Sequence, residues 1–152
     1  MLFRSAYFNR GVAYGKLKDY NQAISNYTQA IKIDPNYAKA YLNRGVAYGK
    51  LKDYNRAISN YTQAIKINPN DAEAYYSRGV AYGSLKDYNR AISDFTQAIK
   101  INPNDAYAYF GRGLAYVLTN RLYEATKDAR KACALGECEL LQLMGKENLL
   151  RD

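Results

Sequence analysis

Prolines fall every 34 residues in this chain, at Pro35, Pro69 and Pro103, and the sequence between them repeats almost letter for letter. "RGVAYGKLKDYN" occurs at 10–21 and again at 44–55, and "RGVAYGSLKDYN" at 78–89. A fixed period of this length marks supersecondary units that cannot bury their apolar faces alone and must stack on their neighbours. The units run 4–37, 38–71 and 72–105, with a degenerate fourth over about 106–138.

Each unit holds two helical stripes. In the first, Ala6, Tyr7, Arg10, Ala13, Tyr14 and Leu17 share one side at helical spacing. After "LKDYN", Tyr20, Ala23, Ile24, Tyr27, Ala30 and Ile31 recur at i, i+3, i+4, i+7. "IDPN" or "INPN" then stops the second helix, because a residue before proline is driven out of the α region. No useful length alternates with period two, so the expected class is all-α.

The glycine spacing in "GVAYGKL" raises the question of a phosphate loop. Such a loop needs four residues between its glycines, a hydroxyl after its lysine, and a place between strand and helix. Gly11 and Gly15 have three residues between them, Leu17 follows Lys16, and the segment lies within a helix whose backbone N–H groups are already bonded. The glycines are therefore architectural. Gly11 sits where a missing Cβ lets the second helix of its unit come close. Gly15 is turned further round, beside Phe8 and Val12 on the other arc, where close packing or an unobstructed surface must offset it and a bare spot is left near the groove. An interior helical glycine costs about 0.5–1 kcal/mol relative to alanine.

Taken together these positions resemble the tetratricopeptide repeat: an aromatic, then glycine, tyrosine, alanine, an aromatic and proline. The first unit supplies Tyr7, Gly11, Tyr14, Ala23, Tyr27 and Pro35, and the second Tyr41, Gly45, Tyr48, Ala57, Tyr61 and Pro69. The third has Tyr75, Gly79, Tyr82, Ala91, Phe95 and Pro103. The fourth keeps Tyr109, Gly113, Tyr116 and Ala125, with Ala129 for the aromatic and Glu137 for the proline. Arg10, Arg44, Arg78 and Arg112 stand where the pattern has leucine, and their expected role is structural, stem between helices and head on loop carbonyls or acids. The resemblance implies a right-handed superhelical α-solenoid of antiparallel helix pairs. After Gly136, "ECELLQLMGKENLLRD" brings Leu140, Leu141, Leu143, Met144, Leu149 and Leu150, expected as a capping helix over 139–150.

In the resembled family the first helix of each unit lines a concave groove that takes peptides or extended segments. The corresponding arcs are Ser5, Phe8, Asn9, Val12 and Lys16, then Lys39, Leu42, Asn43, Val46 and Lys50. They continue as Glu73, Tyr76, Ser77, Val80 and Ser84, then Tyr107, Phe110, Gly111, Leu114 and Leu118. The expected groove residues are Phe8, Asn9, Val12, Lys16, Lys39, Leu42, Asn43, Val46, Lys50, Tyr76, Ser77, Val80, Tyr107 and Phe110. Units two and three differ at Lys39/Glu73, Leu42/Tyr76, Asn43/Ser77, Lys50/Ser84, Asn60/Asp94 and Tyr61/Phe95. Four of these pairs lie on the arc, which reads as specialisation of the groove over a constant core, or as drift at exposed positions. The apolar row and the lysines point to a short peptide with apolar anchors and some acidic character. Family members that clamp a chaperone's C-terminal carboxylate place lysine, asparagine and arginine at set positions. Here only Asn43 matches, Phe8 and Val12 replace the first-unit residues, and Glu73 and Ser77 the third-unit ones.

Catalysis has little to stand on. The chain has no histidine, so a Ser–His or Cys–His pair cannot be built. Asp19, Asp53 and Asp87 recur once per unit, which suits helix ends and turns. No cofactor or metal is expected, since Cys133 and Cys138 do not make a zinc spacing. That pair reads as the reduced thiols of a cytoplasmic protein or as a local disulfide tying the last helices together, and geometry decides. The N-terminal "MLFRSAYFNRG" has no apolar stretch of signal-peptide type, and no run of roughly 18 apolar residues suggests membrane insertion.

The formal charge of +8, from 22 Lys and Arg against 14 Asp and Glu, is spread through the repeats and favours acidic partners modestly. The leading expectation is a non-catalytic module that holds a protein segment in its groove. The alternatives are a basic helical-repeat module for RNA or another polyanion, with nucleic acid the less expected ligand, and a scaffold that self-associates through its uncapped N-terminal unit.

Overall fold

The computed structural model describes residues 2–151. Among them are nine α-helices and no strands: α1 (Leu2–Lys16), α2 (Tyr20–Ile33), α3 (Ala38–Lys50), α4 (Tyr54–Ile67), α5 (Ala72–Ser84), α6 (Tyr88–Ile101), α7 (Ala106–Leu118), α8 (Leu122–Ala134) and α9 (Glu139–Lys146). Odd and even helices pair as antiparallel hairpins, and each pair packs on the next. The odd helices also touch one another from α1 through α9, whereas no even helix touches the next even one. The stack therefore curves with the odd helices inside, and the chain is an α-solenoid.

Local chemistry sets the joints. Asp34, Asn68 and Asn102, each before a proline, are extended, with φ of −135°, −128° and −127°, and end α2, α4 and α6. Within each hairpin Lys18, Lys52, Lys86 and Asn120 take a left-handed conformation with φ of 58–61°. The amides that follow reach back to Tyr14, Tyr48, Tyr82 and Tyr116, which closes each first helix. Asp19, Asp53 and Asp87 then accept from the amides of Gln22, Arg56 and Arg90, so each is the N-cap of a second helix.

In the first three units the second helix lays an aromatic ring on a glycine of its partner. A Cβ on Gly11 would lie 2.6 Å from Tyr27 Cε1, one on Gly45 2.6 Å from Tyr61 Cε1, and one on Gly79 3.0 Å from Phe95 Cε1. Stacking between units rests on small residues: Ala40, Ala74 and Ala108 are fully buried, as are Ala30, Ala64 and Ala98 on the helices before them. The first unit differs. Ala6 and Ala13, expected in the core, are exposed, because no preceding second helix covers that side of α1 among the described residues, and Leu17, expected there too, is exposed as its counterparts Leu51 and Leu85 are.

The arginines bind across helices and not to loop carbonyls. Arg10 Nε donates to Asn26 Oδ1, and Arg44 Nε to Asn60 Oδ1 at 2.8 Å. Arg78 grips Asp94 with two bonds of 2.7 and 2.8 Å, and Arg112 grips Asp128 likewise. Arg44, Arg78 and Arg112 each send Nη1 to a threonine of the preceding unit, Thr28, Thr62 or Thr96, at 3.0–3.1 Å. One guanidinium thereby joins three helices.

At the C-terminal end Leu140 and Met144 of α9 are buried against Ala125 and Ala129. The helix stops at Lys146, and Leu149 packs on the same cluster from outside it. A disulfide joins Cys133 to Cys138, so these are not the free thiols of the reduced reading. No helix of the described residues is long and apolar enough to cross a membrane.

Candidate functional site

Four clefts run along the inner face. The largest, about 620 Å³, lies where α3 and α5 begin and includes Lys39, Leu42, Asn43 and Tyr76. The loop residues Asn68, Asn70, Asp71, Asn102 and Asp105 complete it, together with Glu73. Three smaller clefts lie toward the other ends of the odd helices. One of about 300 Å³ holds Val12, Lys16, Asn43, Val46 and Lys50. The next, about 330 Å³, holds Val46, Lys50, Tyr76, Ser77 and Val80. The last, about 380 Å³, holds Tyr76, Val80 and Phe110. Val46 and Lys50 belong to two of them, and Tyr76 to three, so the clefts form one continuous groove.

Phe8, Asn9 and Tyr107 line none of the four. The Phe8 ring packs against Tyr27 and Tyr37, with centroids 5.8 and 5.0 Å away, and so serves the edge of the core. Asn9 and Tyr107 are exposed. Leu42 is only 5% exposed and packs among Ala57, Tyr61, Ala64, Ala74 and Ala81, so it is a core residue beneath the groove and offers a ligand almost nothing. Tyr76 stays half-buried over Phe95, 5.7 Å between centroids, and burial raises its hydroxyl pKa, helped by Asp105 and Tyr107.

The comparison of units two and three also changes meaning. Asn60 and Asp94 are 6% and 4% exposed, as partners of the bridging arginines, and Tyr61 and Phe95 are equally buried. Divergence therefore touches the core as well as the groove.

The tyrosine walls of the groove went unseen in the sequence, whereas its bare glycines did not. Tyr20, Tyr54 and Tyr88, the first residues of α2, α4 and α6, wall the three smaller clefts, and Gly15, Gly49 and Gly83 form their floors. A Cβ on Gly15 would meet only the Tyr27 hydroxyl, at 3.8 Å, and one on Gly49 only that of Tyr61, at 3.6 Å. These glycines are not required by packing. The sequence already marked them, since the same bare position recurs in the first three units.

The two edges of the groove differ in charge. Lys16 and Lys50 stand at the C-terminal ends of α1 and α3, and Lys18, Lys52 and Lys86 follow in the turns. Of the acids there, Asp53 and Asp87 are bound by Arg56 and Arg90, which lower their carboxyl pKa values through hydrogen bonds, while Asp19 accepts from the Gln22 amide and has glutamine where the other units have that arginine. The opposite edge carries Asp71, Glu73 and Asp105 with Lys39. No cluster of three metal-ligating side chains occurs among the described residues.

A curved stack of helical hairpins with a lined inner face defines the class: a helical-repeat solenoid. The sequence profile of the tetratricopeptide repeat matches residues 5–37, 38–71 and 72–105, and a second tetratricopeptide profile matches 95–127. The chain belongs to the tetratricopeptide repeat family. Among solved structures it is similar to MamA, with 30% identity over 88% of this chain and 78% of that one, at a TM-score of 0.85. It is also similar to the tetratricopeptide domain of Arabidopsis OM64, with 31% identity, 74% and 93% coverage, and a TM-score of 0.73. The first tetratricopeptide domain of Spaghetti (RPAP3), solved with the HSP90 peptide SRMEEVD, shares 26% identity over 78% of this chain and 94% of that one, at 0.77. Among curated protein sequences, none matches significantly.

Proposed function

We propose that this protein is a non-catalytic interaction module whose inner face holds a segment of a partner protein. The observation that carries the reading is the continuity of the clefts, linked by Asn43, Val46 and Lys50 of α3 and by Tyr76 and Val80 of α5. The peptide-bound Spaghetti domain supports it, because a relative of the same fold accepts a short peptide. Apolar anchoring follows from the valines and aromatics. Acidic character in the ligand suits the edge that carries Lys16 and Lys50, and not the edge with Asp71, Glu73 and Asp105, where a carboxylate would be repelled. The test is capture of partner proteins by the wild type and by Val46→Glu/Val80→Glu, with helicity and melting monitored. Val80 is 43% exposed and Val46 is half-buried on the Leu42 cluster, so the variant should keep its helicity with some loss of melting temperature and should lose its partners. An unchanged set of captured proteins at normal helicity overturns the groove.

A second reading, self-association, is favoured by one observation. Ala6 and Ala13 are exposed on the uncovered side of α1, whereas their counterparts Ala40, Ala47, Ala74 and Ala81 are buried, and Leu17 beside them is 76% exposed against 44% for Leu51 and Leu85. Sedimentation over a concentration series, with Leu17→Glu as control, tests it.

A further inference from the structure

We infer that the cleft between α5 and α7 is a socket for one bulky apolar side chain, aromatic or branched, of an extended partner segment whose nearby acidic residues meet Lys50 and Lys16. The inference rests on the reading of the inner face as a peptide groove and assigns the chemistry that groove selects.

The three smaller clefts are one design built three times. Each has a valine, Val12, Val46 or Val80, a tyrosine, Tyr20, Tyr54 or Tyr88, and a bare glycine, Gly15, Gly49 or Gly83. Differences between the copies can therefore be read position by position, with the first two as internal controls. Over Gly15 and Gly49 a tyrosine hydroxyl approaches to 3.8 and 3.6 Å, but at the third position the ring is Phe95, and a Cβ on Gly83 would meet nothing within 4 Å. Lys16 and Lys50 become Ser84. On the facing helix Asn43 and Ser77 become Gly111, where the Phe95 ring fills the space of a Cβ, its Cζ 2.7 Å away. Val46 and Val80 become Leu114, and Lys50 and Ser84 become Leu118.

Every one of these changes removes a polar group or adds apolar surface, and all of them meet in a single cleft. The result is the largest and most apolar of the three. Gly83 remains the informative residue. Packing explains Gly79 and Gly111, which receive the Phe95 ring, but nothing touches Gly83, and a glycine within a helix is less stable than alanine there. An open floor under an apolar wall is what a side chain entering from the ligand requires.

Charge fixes the rest of the occupant. Lys50 borders the neighbouring cleft, and Lys16 the one beyond it. Lys18, Lys52 and Lys86 hold left-handed conformations at φ of 60–61°, which glycine or asparagine adopts more readily, and so keep a cation at each turn along this edge. Adjacent packed helices lie about 8–10 Å apart, and an extended chain rises about 3.3 Å per residue. Neighbouring clefts are thus about three residues apart along the ligand. The segment carries a leucine, methionine or aromatic residue for the socket, with aspartate or glutamate about three and about six residues from it.

The test uses a random peptide library displayed on phage, selected against the whole protein. Gly83→Leu adds a Cβ that meets nothing within 4 Å, puts the rest of its side chain into the cleft and improves helix propensity, so its fold should be retained, which its melting checks. Phe95→Tyr restores the hydroxyl of the other repeats. Selected peptides should carry the apolar residue with acids at the stated spacing. A synthetic copy should bind Gly83→Leu about tenfold or more weakly. Replacing its apolar residue by alanine should cost as much with the wild type and little with Gly83→Leu. Peptides without an apolar preference, or bound equally by Gly83→Leu, overturn the socket. If those peptides still lose binding to Val46→Glu/Val80→Glu, the groove stands while the socket falls. If no selected peptide depends on either variant, both fall.

Discussion

Leu140 lies over Gly113 in the place that Tyr27, Tyr61 and Phe95 take over the glycines of the first three repeats. A Cβ on Gly113 would come within 2.7 Å of Leu140 Cδ2, as one on Gly45 would of the Tyr61 ring. The fourth unit has Ala129 where the ring belongs, and α9 folds back to supply the missing apolar group from a different helix. The cap is therefore not only a cover but a substitute for a core residue. Leu140 is 1% exposed, and Leu140→Ala should destabilise by about 2–5 kcal/mol, the range for truncating a buried leucine. Chemical denaturation measures it. A loss below about 1 kcal/mol would show that α9 is dispensable to the fourth unit.

The two glycines of α3 should respond oppositely to alanine. Gly45→Ala drives a methyl into the buried Tyr61 ring and should cost at least about 1–3 kcal/mol, as overpacking does. Gly49→Ala meets only a hydroxyl at 3.6 Å and should stabilise by about 0.5–1 kcal/mol through helix propensity. Melting temperatures of the two variants check this, and shifts of the same sign would refute it.

Much of this architecture was legible because a repeat states each constraint several times. The proline interval fixed the units, the glycine of each first helix announced the close approach, and the recurring aspartates marked helix starts. What escaped was whatever depends on a residue from another helix. Nothing local says that Arg44 reaches Asn60 in one direction and Thr28 in the other, each 16 residues away, because that spacing belongs to the stack and not to a helix. Leu42 read as groove lining because its register matches Tyr76, yet the shorter side chain sinks into the core. Ala6 and Ala13 carry the letters of core positions and are exposed because burial there depends on a neighbouring helix.

Arg44 and Arg78 offer a direct comparison. Hydrogen bonding to the Asp94 carboxylate raises the Arg78 pKa, whereas Arg44 faces the Asn60 amide, and burial lowers its pKa. Asn60→Asp gives Arg44 the partner that Arg78 already has, at the loss of the Asn60 side-chain bond to the Arg56 carbonyl. The expected net effect at neutral pH is stabilisation by about 1 kcal/mol, since hydrogen bonds to charged groups are the stronger kind. Urea unfolding measures it, and destabilisation would show that the buried carboxylate is left under-compensated.

Tyr61 should make the fold sensitive to alkali. Burial, with a smaller contribution from Glu73, pushes its pKa up to about 12, against about 10 for an unfolded tyrosine. The folded state holds the proton more tightly, so the stability linked to this group is complete below about pH 10 and declines as pH rises toward about 12. The full effect is on the order of 2 kcal/mol. Tyr61→Phe, the residue found at the equivalent Phe95, removes the titration while the other tyrosines stay in place. Urea unfolding at about pH 8 and about pH 11 should show the variant gaining on the wild type by roughly 1 kcal/mol at the higher pH. An equal loss in both proteins would mean that Tyr61 ionises in the folded state as freely as in the unfolded one.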